Sequence, residues 1–141
     1  MTLRRILDRE QFLFLLDLEV KRARRYQNFF SILILKMAQL PRHENEERSQ
    51  TGQRSLARLF QDGLRESDIL GSLAENRLVI LLPYADQNAG GSARIRVEGD
   101  LQYFDFKHEG VEVTIDQVSF PKDGANLADL EKKVLGTESP Q

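Results

Sequence analysis

The segment from Ile69 to Pro83 constrains the fold most, because two short apolar runs flank a polar break at residues 74–76. Both runs are rich in Ile, Leu and Val, which is typical of strands buried on both faces of a sheet. Asn76 suits a tight turn because it tolerates a positive φ at little cost. Pro83 ends the second run because it has no N–H for a strand ladder. The segment therefore predicts a β-hairpin at the centre of a sheet, with its turn exposed at one edge.

The remaining periodicity predicts helices that alternate with buried strands. The predicted helices cover about residues 7–26, 54–66, 85–97 and 127–135, and the predicted strands cover 29–37, 111–120 and a short segment at 102–106. The first helix has an apolar stripe at Phe12, Leu16, Val20 and Ala23, with Asp8 and Gln11 placed to form a capping box. This order predicts an α+β fold with a βαββαβ core, in which a mostly antiparallel central sheet is flanked by helices.

Length and composition restrict the class of protein. The 141 residues suffice for one domain, assigned to residues 1–136, with a disordered tail at 137–141. The net charge of −2 gives no electrostatic reason to expect a nucleic acid or an acidic membrane as partner. Cysteine is absent, which excludes disulfides and thiolate metal sites. Since no apolar run is long enough for a signal peptide or a membrane span, we expect a cytoplasmic protein.

The predicted hairpin also resembles a known family. The run Asp68-Ile-Leu-Gly-Ser-Leu, followed by Ala-Glu-Asn-Arg-Leu and Val-Ile-Leu-Leu-Pro83, is similar to the signature hairpin of the GGDEF (diguanylate cyclase) family. Asp8-Arg-Glu-Gln-Phe12 and Phe120-Pro-Lys-Asp-Gly124 resemble other parts of that pattern, and the similarity extends over most of the chain. The resemblance implies a GGDEF-like fold. None of the five signature letters is kept; they fall on Ala74, Glu75, Asn76, Arg77 and Leu78.

The resemblance also implies that the family's chemistry has been lost. Diguanylate cyclases join two GTP molecules by phosphoryl transfer, which depends on metal ions for charge stabilisation. The family's first metal-binding aspartate corresponds to Lys36, and Asn76 and Arg77 replace the two acidic signature residues. Asp116 stands where the family has a glycine. A lysine puts a positive charge where Mg²⁺ would have to sit. We therefore expect no cyclase activity, no catalytic residue, no metal site and no cofactor.

One ligand-binding motif of the family is kept. Arg65-Glu-Ser-Asp68 precedes the signature position by the five residues 69–73, as does the Arg-x-x-Asp motif with which many GGDEF domains bind cyclic di-GMP. Arginine can hold guanine or phosphate through a bidentate fork, and aspartate can accept from guanine N–H groups. Arg96, or Arg94, is the candidate for the additional arginine of that site. The alternative is structural: Asp68 caps a turn and Arg65 lies at a helix end.

Two classes of function remain open. In the first, the chain is a catalytically inactive GGDEF-like domain that binds cyclic di-GMP through Arg65, Asp68 and Arg96. In the second, it is a ligand-free module for dimerisation or for docking to a protein of a bacterial signalling system. The motif spacing favours the receptor, whereas the loss of the other functional residues favours the interaction module.

Overall fold

The computed structural model describes residues 5–39, 64–102 and 111–136. Within these ranges the elements are β1 (Ile6–Leu7), α1 (Arg9–Tyr26), β2 (Phe30–Gln39), β3 (Ile69–Ala74), β4 (Arg77–Pro83), α2 (Gln87–Gln102), β5 (Val111–Phe120) and α3 (Leu127–Leu135). The predicted helix at 54–66 lies outside the described residues up to position 63, as do residues 103–106 of the predicted short strand and the tail at 137–141.

The described strands form one sheet in the order β1-β3-β4-β2-β5. Every neighbouring pair is antiparallel except β1 with β3, which is parallel. The predicted α+β fold with a mostly antiparallel sheet and flanking helices is therefore confirmed. The short β1, in which Ile6 pairs with Leu70, was not predicted, because two residues are too few to show a period.

The predicted hairpin at 69–83 is confirmed, and its strands β3 and β4 lie inside the sheet, between β1 and β2. Strand β4 is buried from Arg77 to Leu82. Residues 74–76, at the turn between β3 and β4, are exposed. Asn76 does not use the positive φ that its residue type would tolerate, since the described non-glycine residues with positive φ are Gln27 and Tyr84. A register irregularity between Ser72 and Ala74 adjusts β3 just before the turn.

Helices cover both faces of the sheet and create two apolar layers. Helix α1 turns its predicted stripe inward, and all four stripe residues are buried in one layer together with Leu130 and Val134 of α3. The capping box of α1 is confirmed: the Gln11 backbone N–H donates to the Asp8 carboxylate (2.8 Å), and the Asp8 backbone N–H donates to the Gln11 side chain (3.0 Å). Helix α2 covers the other face through Ala93 and Val97.

Helix α2 differs from the sequence prediction in its length and in the role of one glycine. It was predicted to end near Val97, but it continues to Gln102. Gly90 weakens an isolated helix, yet here a Cβ at this position would lie 2.5 Å from the Ser31 hydroxyl. That hydroxyl donates to the Ala85 carbonyl over 2.9 Å, so Gly90 lets α2 pack closely on β2.

Among the described residues, no helix is both long enough and apolar enough to cross a bilayer.

Candidate functional site

The sheet register brings Lys36 and Arg77 together beside the hairpin turn. They are directly opposed Cα partners on the antiparallel strands β2 and β4. The backbone N–H of Met37 donates to the Asn76 carbonyl over 2.8 Å, which ties the end of β2 to the turn. In the family that this hairpin resembles, the positions of Lys36 and Arg77 would both be acidic. The sheet therefore places two cations side by side at the base of the hairpin turn.

Lys36 has an acidic partner on the neighbouring strand. Its Nζ lies 2.8 Å from Oδ2 of Asp116 on β5, and the two side chains are 43% and 55% exposed. Both side chains are thus largely hydrated, and an ion pair of this kind contributes only about 0–1 kcal/mol. The pair sets the direction of Lys36 without removing it from solvent.

Arg77 is instead a buried structural residue. It is 8% exposed, and one guanidinium nitrogen donates to the Val134 carbonyl of α3 over 2.9 Å. The guanidinium also packs against Gly136, where an added Cβ would lie 2.7 Å from it. Because the last carbonyls of a helix lack intrahelical donors, a cation here satisfies and stabilises the end of α3.

These residues do not fit the Mg²⁺ ions that the fold implies. Magnesium takes oxygen ligands in octahedral geometry, usually one or two carboxylates with water and phosphate. Both opposed positions carry cations, and the neighbouring Asp116 is engaged with Lys36. Across residues 5–39, 64–102 and 111–136, no group of three or more His, Cys, Asp or Glu side chains is arranged to hold a metal ion.

A wide groove of about 690 Å³ surrounds this pair. Its described lining comes from β2, β4, β5, α2 and α3, and comprises Ile34, Lys36, Arg77, Arg94, Asp116, Gln117, Val118, Lys132, Lys133 and Gly136. Five of these side chains are cationic and one is acidic. Sequence reasoning missed this cluster, because its members lie on separate elements without a common motif. We refer to it below as the basic groove.

The Arg-x-x-Asp motif forms a tight turn before β3. The Arg65 backbone N–H donates to Oδ2 of Asp68 (2.8 Å), and the Asp68 backbone N–H donates to the Arg65 carbonyl (3.0 Å). The Asp68 side chain is 2% exposed, whereas that of Arg65 is 58% exposed, and Arg65 Nε lies 3.6 Å from Oδ1 of Asp68. Residues 64–66 are not helical, and the residues before them, where the helix was expected, lie outside the described part of the chain. Asp68 does have the capping role that the structural alternative gave it.

The two candidate arginines on α2 lie on different surfaces. Arg96 is exposed and lines a small crevice with Leu64, the residue directly before Arg65. Arg94 instead lines the basic groove and pairs with Glu98 (Nε to Oε1, 2.9 Å). Arg96, rather than Arg94, is therefore on the side of the Arg-x-x-Asp turn.

The five residues at the signature positions differ in their exposure to solvent. Ala74, Glu75 and Asn76 are exposed in the turn, and Leu78 is fully buried in the layer beneath α2. The resemblance implies glycines at positions 74 and 75, where this chain carries the side chains of Ala74 and Glu75, which restrict how closely a ligand can approach the backbone.

Arg22, near the end of α1, is engaged by neighbouring side chains. Arg22 hydrogen-bonds to the Glu19 carboxylate, which raises the pKa of Arg22 above its ordinary value. The Arg22 guanidinium also lies over the ring of Tyr84, 4.3 Å from its centroid. Arg22 is therefore paired with residues near it and does not line the basic groove.

Solved structures support the fold. A DGC protein from Thermotoga maritima matches with a TM-score of 0.76 at 18% identity, over 92% of this chain and 96% of that chain. The FimX GGDEF domain from Pseudomonas aeruginosa matches with a TM-score of 0.77 at 14% identity, over 96% of this chain and 90% of that chain. A microbial GGDEF domain described in its interaction with cyclic di-GMP gives 0.67 at 18% identity, over 92% and 82%.

These likenesses concern the fold alone, because the identities are so low. Models of known protein families give no match to the sequence, and neither do curated proteins. The chain therefore has a GGDEF-like fold, as its hairpin indicated.

Proposed function

We propose that this chain is a bacterial GGDEF-like signalling domain that makes no cyclic di-GMP and acts by binding. The observation that carries the proposal is the direct opposition of Lys36 and Arg77 across β2 and β4. Phosphoryl transfer requires metal ions that bridge the phosphates and neutralise developing charge. Two cations at the positions implied for metal ligands repel such an ion instead of holding it.

The burial of Arg77 strengthens this argument. An exposed arginine could turn away and leave room for a metal ion with its water ligands. Arg77 is held by the Val134 carbonyl and enclosed by the end of α3, so its charge stays beside the turn. The proposed inactivity is therefore a property of the packed structure as well as of the altered letters.

A cyclase assay tests the proposal. The purified chain, incubated with GTP and either Mg²⁺ or Mn²⁺, is expected to form cyclic di-GMP at least roughly 10³-fold more slowly than an active diguanylate cyclase, because losing a single electrostatic stabiliser already costs 10²–10³-fold. Product is measured by chromatography with mass detection. Metal-dependent turnover within 10²-fold of the active enzyme, as an order of magnitude, would reject the proposal.

A receptor for cyclic di-GMP is the form of this function that the exposed Arg65 favours. The Arg65 side chain extends from a turn that is held by the hydrogen bond from the Arg65 backbone N–H to the Asp68 carboxylate. Arg96 lies on the crevice that also contains Leu64. Two arginines on one side of the domain could supply bidentate contacts to guanine and phosphate. Asp68 would then act by shaping the turn, because its own carboxylate is nearly inaccessible.

Calorimetric titration of cyclic di-GMP into the chain separates the two classes. We expect saturable micromolar binding that Arg65→Ala or Arg96→Ala weakens at least about tenfold, which corresponds to 1.4 kcal/mol. Arg24→Ala, which changes an exposed arginine of α1 outside both the crevice and the basic groove, is the matched control and is expected to have no effect. Absence of heat at high protein concentration would exclude the receptor, leaving a module that binds itself or a signalling protein.

A further inference from the structure

We propose that the basic groove binds a ligand with two or more phosphate groups and that it does so without a metal ion. The contacts would come from Lys36, Arg94, Lys132 and Lys133, with Arg77 beneath them. The inference rests on the proposed loss of the metal site, since the same two replacements that exclude Mg²⁺ supply positive charge. The site would thus carry positive charge at the positions where a cyclase carries carboxylates.

The first support is the local charge. Among the described lining residues, five cations accompany one carboxylate, although the whole chain carries a net charge of −2. Charge of one sign gathered in a concave surface focuses the electric field and raises the local concentration of the opposite ion. The groove therefore attracts anions that the rest of the protein repels.

The second support is that several of these cations are available. Lys132 and Lys133 are exposed, and neither pairs with a carboxylate within the described part of the chain. Lys36 and Arg94 do have carboxylate partners, but both pairs are largely hydrated and contribute little, so a phosphate can replace either partner.

Arg77 has a different part in the proposed site. Its guanidinium is engaged with the Val134 carbonyl and offsets the negative end of the α3 dipole, which would otherwise oppose an anion. It thus contributes charge from below while the lysines make the contacts. Because lysines are flexible point charges, they favour a highly charged ligand over one planar group of fixed geometry.

The size of the groove favours an oligophosphate over a single phosphate. The groove is open to solvent, and its volume of about 690 Å³ gives room for several linked phosphate groups along its spread cations. Such a ligand could be an inorganic oligophosphate or the phosphate chain of a nucleotide, and the two share the chemistry that this groove recognises. Mg²⁺ bound to the phosphates would lower their charge and bring a cation near Lys36, so the metal complex should bind less well.

Titration of tripolyphosphate and of GTP, each with EDTA and each with excess Mg²⁺, tests the proposal on the purified chain. Both probes are expected to bind in EDTA. Excess Mg²⁺ is expected to weaken their binding at least about tenfold, because bound Mg²⁺ reduces the negative charge that the phosphates present to the lysines. Equal binding of the two probes would point to an inorganic oligophosphate, and tighter GTP binding to a nucleotide. Guanosine alone is expected not to bind.

Paired variants locate the site. Lys132→Ala with Lys133→Ala is expected to weaken tripolyphosphate binding at least about tenfold, because two direct contacts are removed. The matched control, Lys21→Ala with Lys122→Ala, removes the same number of exposed lysines outside the groove. It is expected to change affinity less than about twofold at physiological salt.

Any of the following results would overturn the inference: no binding of either probe in EDTA, tighter binding with Mg²⁺, or equal loss in the two double variants. Guanosine binding as tight as that of GTP would overturn it too. None of these results depends on cyclic di-GMP synthesis, so the cyclase assay fails or succeeds separately. A chain that is inactive as a cyclase and binds no oligophosphate would retain the proposed function and lose this site.

Discussion

Replacing Arg77 with glutamate is expected to destabilise the protein by about 3–5 kcal/mol, even though glutamate is the residue that the resemblance to cyclases implies at this position. The substitution removes the hydrogen bond to the Val134 carbonyl and places a carboxylate at a position that is 8% exposed. That carboxylate would face the negative end of the α3 dipole, where an anion is unfavourable. Since the stability of a domain is typically 5–15 kcal/mol, this is a large fraction of the total.

Urea unfolding followed by far-ultraviolet circular dichroism measures this effect, and the absence of tryptophan makes that the suitable signal. Arg24→Glu is the matched control, because Arg24 is a cation at the carboxyl end of a helix, as Arg77 is beside α3, but Arg24 is exposed. It is expected to cost at most about 1 kcal/mol. If Arg77→Glu costs no more than its control, Arg77 does not stabilise α3 and the argument for its fixed position fails.

Phe12→Ala is expected to cost about 3–5 kcal/mol of unfolding free energy. Phe12 is fully buried on α1, in the layer that α1 and α3 form against the sheet. Its ring lies so close to β3 that a Cβ on Gly71 would be 2.8 Å from Cδ1. Deleting the ring leaves a cavity that a helix fixed by its capping box cannot close without repacking.

Two further variants test this explanation. Phe14→Ala on the same helix is expected to change stability by less than about 0.5 kcal/mol, because Phe14 is 64% exposed. Gly71→Ala alone is expected to cost about 1–3 kcal/mol through overpacking. That cost is expected to be smaller when Phe12 is already alanine, because the ring contacts are removed and only the Cβ contact of 3.1 Å remains. A double-mutant cycle in urea measures the coupling. Additive effects of Gly71→Ala and Phe12→Ala would contradict the close approach.

Much of the fold could be predicted because its main elements carry strong local signals. The stripe from Phe12 to Ala23 has the period of a helix, and the two runs around residues 74–76 have the composition of buried strands. The order of these elements then restricts the sheet to few topologies. The continuation of α2 beyond Val97 and the pairing of β1 with β3 lack such signals, so sequence reasoning missed them.

The candidate site could be predicted only in part. The resemblance implies acidic residues at the positions of Lys36 and Arg77, and this expectation follows once the hairpin is aligned. The hydrogen bond from Arg77 to Val134 joins residues far apart in the chain, and no local pattern announces it. The same is true of Arg94, Lys132 and Lys133, which come from two helices to one groove.

The sequence by itself determined the hairpin, the helices with clear apolar stripes and the charge of each residue at the altered signature, because periodicity and residue type act over short distances. Only the tertiary structure decided which charges are buried, which are exposed and which share a surface. Asp68 was thereby assigned to a turn, Arg77 to the end of α3, and Lys36 to a groove with two helices. Burial and proximity arise from packing between distant segments, and they determine what a charged side chain can bind.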